Sequence, residues 1–330
     1  MRKVKVGAIQ PGSIDVPEAC NWRANNYHAN TDIILREYIM KALDNTCALI
    51  EKAGIAGCDI VTSCEDSCGV GFYMADIGEN NIFSELVSKS SVMFENRMSE
   101  LAEKYHMYIV GCYYRQIDGN NCNVASIFDR KGHIIGHYQK THLPPDETWQ
   151  SVAGNDISVF DLDFGKIGIS ICYDMMFPEQ VRVLALKGAE VIFHPTFGYG
   201  WYDGIGQATL KTRANDNSVY IVTAKNAVFN GAGKSSVIDF WGHTFVEAGF
   251  DNDVIVVAEI DLDHKKTQPI WYNPTQMSRI SDVGERMAGE RRYELYKALC
   301  EPVPNKFQPL SPEEKMAVRE KILNGTCRWS

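Results

Sequence analysis

Apolar positions with period two mark the strands of this chain, and apolar positions recurring every three or four residues mark its helices. The first strand is at the N-terminus, where Val4, Val6 and Ala8 share one face and Lys3 and Lys5 take the other. Residues 11–30 carry neither period and are rich in Asn and Pro, about a dozen residues beyond what such a connection needs. Thr31 is placed to cap a helix in which Leu35, Ile39, Ala42, Thr46, Leu49 and Ala53 recur up to Gly54. A short strand, residues 59–62, then runs into Ser63-Cys-Glu-Asp-Ser-Cys-Gly69. A β-α-β opening favours helices layered on a sheet over an all-β or all-α fold.

The alternation continues. Residues 91–106 predict a helix, 108–115 a strand, and 123–140 a hairpin turning at Asp129-Arg-Lys-Gly132. A second hairpin turns at Asp163-Phe-Gly165 and delivers Ile167, Ile169 and Ile171, a strand expected to end at Cys172. Pro178 and Gly188 bracket a helical run of Val181, Leu184, Ala185 and Leu186. Strands over 189–195, 220–226 and 254–262, a helix over 209–218 and a hairpin over 236–247 complete the series. No composition break interrupts it, so residues 1–262 read as one domain of α/β (α+β) class. Residues 263–330 are polar and Pro-punctuated, with helical candidates over 285–300 and after Ser311-Pro-Glu-Glu314, a capping box that runs to Asn324-Gly325. They read as a C-terminal extension packing on the domain or on a partner subunit.

Composition narrows the function. The chain is 45% hydrophobic and 23% charged with a net charge of −9, which disfavours nucleic acid and anionic membranes as partners. The N-terminus lacks a signal-peptide apolar core and no run of about 18 apolar residues occurs, so a cytoplasmic protein is expected. Ten cysteines in 330 residues are not a disulfide-scaffold density. Cys64 and Cys68 lack the second pair that a zinc site requires, so neither metal nor other cofactor is expected.

Three residues at strand ends carry candidate chemistry. Cys172 sits between a strand and the Pro178 helix, where a thiol can project from a rigid edge beside free backbone N–H groups. Glu65 follows the apolar strand before it, and Lys140 ends a hairpin strand that Leu143-Pro-Pro145 cannot continue. A thiol needs a base. His133, His137, His142 and His194 are available, but no orienting Asp or Asn pairs with them obviously.

Taken together, Glu65, Lys140 and Cys172 resemble the catalytic set of the carbon–nitrogen hydrolase (nitrilase) superfamily. The resemblance runs from about residue 4 to 262 and rests on motifs in the family's order: Thr62-Ser-Cys-Glu65, Tyr138-Gln-Lys-Thr-His-Leu-Pro144, and Gly168-Ile-Ser-Ile-Cys-Tyr-Asp-Met-Met-Phe-Pro-Glu179. Arg213-Ala-Asn-Asp-Asn217, the strand to Asn226 and Gly233-Lys-Ser235 also match. Cys64 replaces the family's usual Pro and is expected to make the site oxidation-sensitive, while Asp216 replaces a common Glu.

The resemblance implies a four-layer α-β-β-α sandwich, a homodimer or larger homo-oligomer, and no cofactor. It implies that Glu65 is the general base, that Lys140 and the Tyr173 N–H stabilise an oxyanion, and that Cys172 forms a thioester. It also implies that Glu147 helps position substrate, with Asp146 and Glu179 nearby in sequence as alternatives. Cys172-Tyr173-Asp174 is similar to the amidase and N-carbamoyl amidohydrolase branches, so the expected reaction is hydrolysis of a small amide or N-carbamoyl compound. A nitrilase, an acyltransferase and a non-catalytic binding relative stay open as alternatives. Met175 and Met176 stand where relatives acting on acidic substrates carry an arginine, so a neutral or cationic substrate is expected. Phe72, Tyr73, Trp149, Met176, Tyr199, Trp201 and Tyr202 are candidates for its pocket.

Overall fold

The computed structural model describes residues 1–24, 27, 30–78, 81–198, 203–227, 233–264, 284, 288–301 and 310–326. The chain divides into Met1–Leu262 and Asp263–Ser330. In the larger unit twelve strands form two six-stranded sheets among the described residues. The first sheet has the order β12 (Val254–Asp261), β1 (Lys3–Gln10), β2 (Ile60–Thr62), β3 (Tyr108–Ile117), β4 (Asn120–Phe128), β5 (Ile134–Gln139). The second has the order β11 (Thr244–Glu247), β10 (Ser236–Ile238), β9 (Tyr220–Lys225), β8 (Val191–Thr196), β7 (Lys166–Ile169), β6 (Val159–Asp161). Each has a parallel centre, β1-β2-β3 and β7-β8-β9, and antiparallel edges.

Side-chain parity explains the layers. Val4, Val6, Val110, Cys112, Ala125 and Ile127 of the first sheet pack with Ile167, Ile169, Val191, Phe193, Val222 and Ala224 of the second in one buried core. Burying each large aliphatic or aromatic side chain there contributes about 1.5–3 kcal/mol. The alternate residues Ile192, Ile221 and Ile238 face the other way, onto Val181, Leu184, Leu210 and Ala214 of two outer helices, α3 (Pro178–Leu186) and α4 (Asp203–Asn217). Strand β8 is therefore buried on both faces, its apolar run Val191-Ile-Phe193 continuing into the buried His194, Pro195 and Thr196. On the first sheet's outer side lie α1, built from Thr31–Ile34, a π-turn at Leu35–Ile39 and Met40–Ile55, and α2 (Phe83–Tyr105). The Phe94 ring of α2 stacks 4.5 Å from Tyr113 of β3. The result is the expected α-β-β-α sandwich.

Several boundaries differ from expectation. Asn30, not Thr31, caps α1, its side chain accepting the Ile33 N–H at 3.1 Å. Helix α2 begins eight residues before position 91, because Phe83, Leu86, Val87 and Ser90 continue the buried stripe. Strand β7 stops at Ile169, and Cys172 opens a short 3-10 turn instead of ending the strand. In the smaller unit α5 (Pro312–Leu323) has its capping box, with Ser311 Oγ accepting from Glu314 N and Glu314 Oε2 from Ser311 N. The helix expected over 285–300 is not one element. Its described part holds 3-10 turns at Tyr293–Leu295 and Lys297–Cys300, and residues 285–287 lie outside the described residues.

Candidate active site

Glu65, Lys140 and Cys172 come from three strand ends that the two packed sheets bring together. After β2 the chain leaves the sheet as Ser63 N donates to the Val110 carbonyl. Asp66, at φ 51°, turns it, and its carboxylate accepts the N–H groups of Val70 and Gly71 at 3.0 and 2.9 Å. Glu65 is thereby aimed inward. Lys140 directly follows β5, with its N–H on the Asn123 carbonyl and its own carbonyl accepting from Gly154 N. Its ammonium donates to Glu65 Oε1 at 2.8 Å and to Glu147 Oε2 at 2.5 Å, with only 1% of the side chain exposed. Glu147 starts the turn Glu147–Trp149, which Pro144 and Pro145 separate from the sheet. Neither alternative acid replaces it: Glu179 is exposed and Asp146 is half-buried.

Cys172 holds a φ of 46°, a left-handed conformation that a side chain adopts only when its surroundings impose it. Two features impose it here. A Cβ on Gly168 would lie 2.9 Å from Ile192 and 3.0 Å from Leu184, so glycine lets β7 run tight beneath α3. Beyond the cysteine, the wholly buried Asp174 carboxylate accepts from Ile171 N (2.9 Å), Tyr138 Oη (2.7 Å), Thr141 Oγ1 (3.1 Å) and His142 N (2.9 Å). His142 Nδ1 stands 2.9 Å from the same carboxylate. One carboxylate thus joins the cysteine turn to the loop that carries Lys140.

Electrostatics separates the groups. Burial and the neighbouring Glu65 charge push the Cys172 thiol up to about 12, and its hydrogen-bond partners are Glu65 and Thr196. Burial alone would raise Glu65, but Lys140, the thiol and the Phe197 N–H outweigh it and hold this carboxyl below its ordinary range. For Glu147 burial wins, assisted by the Glu65 charge and opposed by Lys140, so it lies above its ordinary range. Burial disfavours the Lys140 cation, yet Glu147 and Glu65 together hold it well above a free lysine. The site is a buried ammonium between two unequal carboxylates, beside a protonated thiol.

Two residues in this cluster were not anticipated from sequence. Asn123 Nδ2 donates to Glu65 Oε1 at 2.9 Å and to Glu147 Oε1 at 2.7 Å, and Tyr114 Oη donates to Glu147 Oε1 at 3.0 Å. Asn is depleted in strands, so an asparagine one residue before Val124, Ala125 and Ile127 was the available signal. Histidine takes no such part. Buried His194 has Nδ1 2.7 Å from the Ser170 carbonyl, and burial pushes its pKa down to about 4.

The pocket candidates divide. Tyr73 is fully buried and donates to the Cys20 carbonyl at 2.7 Å, within an aromatic cluster with Tyr38 and Phe72. Its place is packing, and no surface remains on it for a ligand. Met175 is buried in the core under α3, whereas Met176 is exposed. Tyr173 and Trp149 are partly exposed. Tyr199, Trp201 and Tyr202 lie outside the described residues. Cys64 is buried, its thiol donates to Asn226 Oδ1 at 3.1 Å, and burial raises its pKa well above a free thiol's. The oxidation sensitivity expected of it is corrected: the thiolate that oxidants attack is suppressed there.

Glu65, Lys140 and Cys172 thus meet at adjoining strand ends of a four-layer sandwich. Residues 37–267 match the family model of carbon-nitrogen hydrolases, and the chain belongs to that family. Omega-amidase NIT2 of Mus musculus is 29% identical over 238 residues, covering 67% of this chain and 83% of its own. A Pseudomonas protegens protein described as a hydrolase in the pqqF 5' region is 33% identical over 187 residues, covering 56% and 62%. Among solved structures, a carbon-nitrogen hydrolase from Helicobacter pylori G27 has a TM-score of 0.70 at 19% identity, covering 91% of this chain and 99% of that one. An amidase from Nesterenkonia sp. follows with a TM-score of 0.63 at 19% identity, covering 90% and 96%. At that identity the structural likeness bears on the fold.

Proposed function

We propose that the protein hydrolyses the C–N bond of a small linear amide through a thioester on Cys172, working as a homo-oligomer in the cytoplasm. The observation that carries this reading is geometric: the buried Glu65 carboxylate is hydrogen-bonded to the Cys172 thiol and, at 2.8 Å, to the Lys140 ammonium, so base, nucleophile and cation meet at one point. Glu65 takes the thiol proton as Sγ attacks the amide carbon, and the C=O π pair moves onto oxygen. Lys140 and the Tyr173 N–H, which the 3-10 turn itself does not use, stabilise that oxyanion. The proton on Glu65 passes to the departing nitrogen, ammonia or an amine leaves, and the thioester remains. Glu65 then takes a proton from water, the hydroxide oxygen adds to the thioester carbonyl, and the thiolate leaves and recovers its proton. A positioned base supplies about 10²–10⁴-fold, and each oxyanion donor about 3 kcal/mol.

Several relatives are named omega-amidases, and a variant of the Nesterenkonia amidase is described as showing covalent addition of an acetamide moiety at its active-site cysteine. Both support amide chemistry. For the substrate, neither residue 175 nor 176 offers a cation, and only Met176 is exposed, which supports a neutral or cationic amide. The omega-amidase relatives supply the rival class, amides with a distal acid. Ammonia release from aliphatic amides, ω-monoamides of diacids, N-carbamoyl compounds and nitriles decides among them. Turnover of amides, with the neutral ones leading in kcat/KM, is the expected result. Conversion of nitriles alone would refute the amidase reading, and preference for an ω-monoamide would refute the argument from residues 175 and 176.

A further inference from the structure

Two carboxylates and one ammonium, all buried, leave an excess negative charge that the lysine alone does not balance. Both acids are at least 95% out of solvent, Glu65 being 5% and Glu147 3% exposed. A like charge nearby disfavours ionisation of either, and without further donors such a pair takes up a proton at neutral pH. A proton on Glu65 would remove the base. Phe197 N and the Cys172 thiol donate to Glu65 alone and Tyr114 Oη to Glu147 alone, whereas one further side chain donates to both acids. Asn123 Nδ2 donates to Glu65 Oε1 at 2.9 Å and to Glu147 Oε1 at 2.7 Å, with Tyr114 Oη farther off at 3.4 Å.

The amide's orientation follows from its partners. Two carboxylate oxygens accept only, so the nitrogen must face them, and Oδ1 faces the Cys112 thiol at 3.6 Å, which donates to it. The backbone of Asn123 adds a second tie, since its carbonyl accepts the Lys140 N–H at 2.9 Å. The residue therefore grips the lysine's main chain while its side chain spans the two acids that the lysine's ammonium also spans.

We propose that Asn123 is the positioning residue of this site, holding Glu65 and Glu147 on either side of Lys140 so that both stay ionised together. This rests on the proposed role of Glu65 as the base of amide hydrolysis. Asn123 touches no reacting atom. It acts by keeping the base free of a proton and at a fixed distance from the thiol.

Other titratable groups face the pair. Burial raises Tyr114, Cys112 and Asp146, keeping the first two neutral, and it raises Asp66 to about 8. His194 is neutral above about 4. Lys140 is the one cation among these named neighbours, and the Cys172 thiol is neutral until Glu65 takes its proton. Neither tyrosine nor cysteine can replace a pair of amide donors: Tyr114 reaches Glu147, and Cys112 is turned to Asn123 itself.

The test is the pH profile of Cys172 alkylation by 2-iodoacetamide, followed on the Cys172 peptide by mass, in wild type, Asn123→Leu and Asn123→Ser. Leucine keeps the volume and removes both donors, while serine keeps one short donor. The acid limb of the leucine variant should move up by about one pH unit, a roughly ten-fold slower alkylation at a fixed pH on that limb. Serine should fall between. A superimposable limb, or one moved to lower pH, overturns the proposal. Should the leucine variant fail to fold by circular dichroism, the serine profile decides by the same criterion. For the amide that wild type turns over best, kcat at a pH on that limb should fall about ten-fold with KM within about three-fold, the loss fading on the plateau. Absence of ammonia release by wild type would refute the hydrolase reading, while the alkylation limb would still decide the role of Asn123.

Discussion

A thiol held near 12 is almost wholly protonated at neutral pH, so reaction at Cys172 depends on where its proton can go. Glu65 is the acceptor in contact with it, and its state sets the sign of the pH dependence. As pH falls through the apparent pKa of the Glu65/Glu147 pair, protons bind, the base is lost, and kcat/KM should fall about ten-fold per unit. On the alkaline side the lysine is held well above its ordinary value, so the oxyanion donor persists. The profile should therefore be an acid limb followed by a plateau to beyond about pH 9. A pH-rate series in buffers of constant ionic strength checks this, and a bell centred near pH 6 would point instead to a histidine.

Between elements, Asp174 is the joint that makes one site out of two loops. It accepts from Ile171 on the cysteine side and from Tyr138, Thr141 and His142 on the lysine side. Asp174→Asn keeps the shape but turns an acceptor oxygen into a donor facing donors. The expected cost is about 2–3 kcal/mol, read as a melting point roughly 5–10 °C lower. Displacing Cys172 from Lys140 should also lower kcat by about 10²-fold. Tyr138→Phe removes one donor to Asp174 and the acceptor of Gln180 Nε2 at 2.8 Å, and should cost less, about 1–2 kcal/mol. Thermal melts and steady-state kinetics on both variants check the order, and equal effects would contradict it.

The same joint shows what sequence could and could not convey. Glu65, Lys140 and Cys172 were legible as candidates because each follows a strand and stands in a short motif that resembles the carbon–nitrogen hydrolase family. Asn123, Tyr114 and Asp174 were not, because their partners are separated along the chain: Asn123 lies 58 residues from Glu65, and Asp174 lies 36 from Tyr138. Local periodicity carries no information on such pairings. Aromatic residues misled for a related reason, since a loop Tyr reads alike whether it lines a pocket or, like Tyr73, fills a core.

At the scale of the whole chain, all strands of both sheets among the described residues lie before residue 263, and β12 pairs with β1 along its full length. A fragment ending at Leu262 should therefore unfold as one cooperative transition in a thermal melt. A non-cooperative melt would show that residues 263–330 complete its core. The family model begins at residue 37, yet β1 sits between β12 and β2, so a fragment starting there should fail to fold. The proposed self-association needs exposed apolar positions. Leu186 and Ile205, beside the outer face of the second sheet, are 45% and 72% exposed. Light scattering of wild type should give a dimer or larger species, and Leu186→Glu with Ile205→Glu should shift it toward monomer.

The proposed mechanism turns on one covalent event, an acyl group carried by Cys172 between two half-reactions. Rapid acid quench of wild type and Glu147→Gln during amide turnover, followed by peptide mass analysis, reads it directly. The expected result is the Cys172 peptide heavier by the acyl half of the amide, with Cys172→Ala folded but lacking both adduct and turnover. Turnover that persists in Cys172→Ala, or an acyl mass on another residue, would contradict the account.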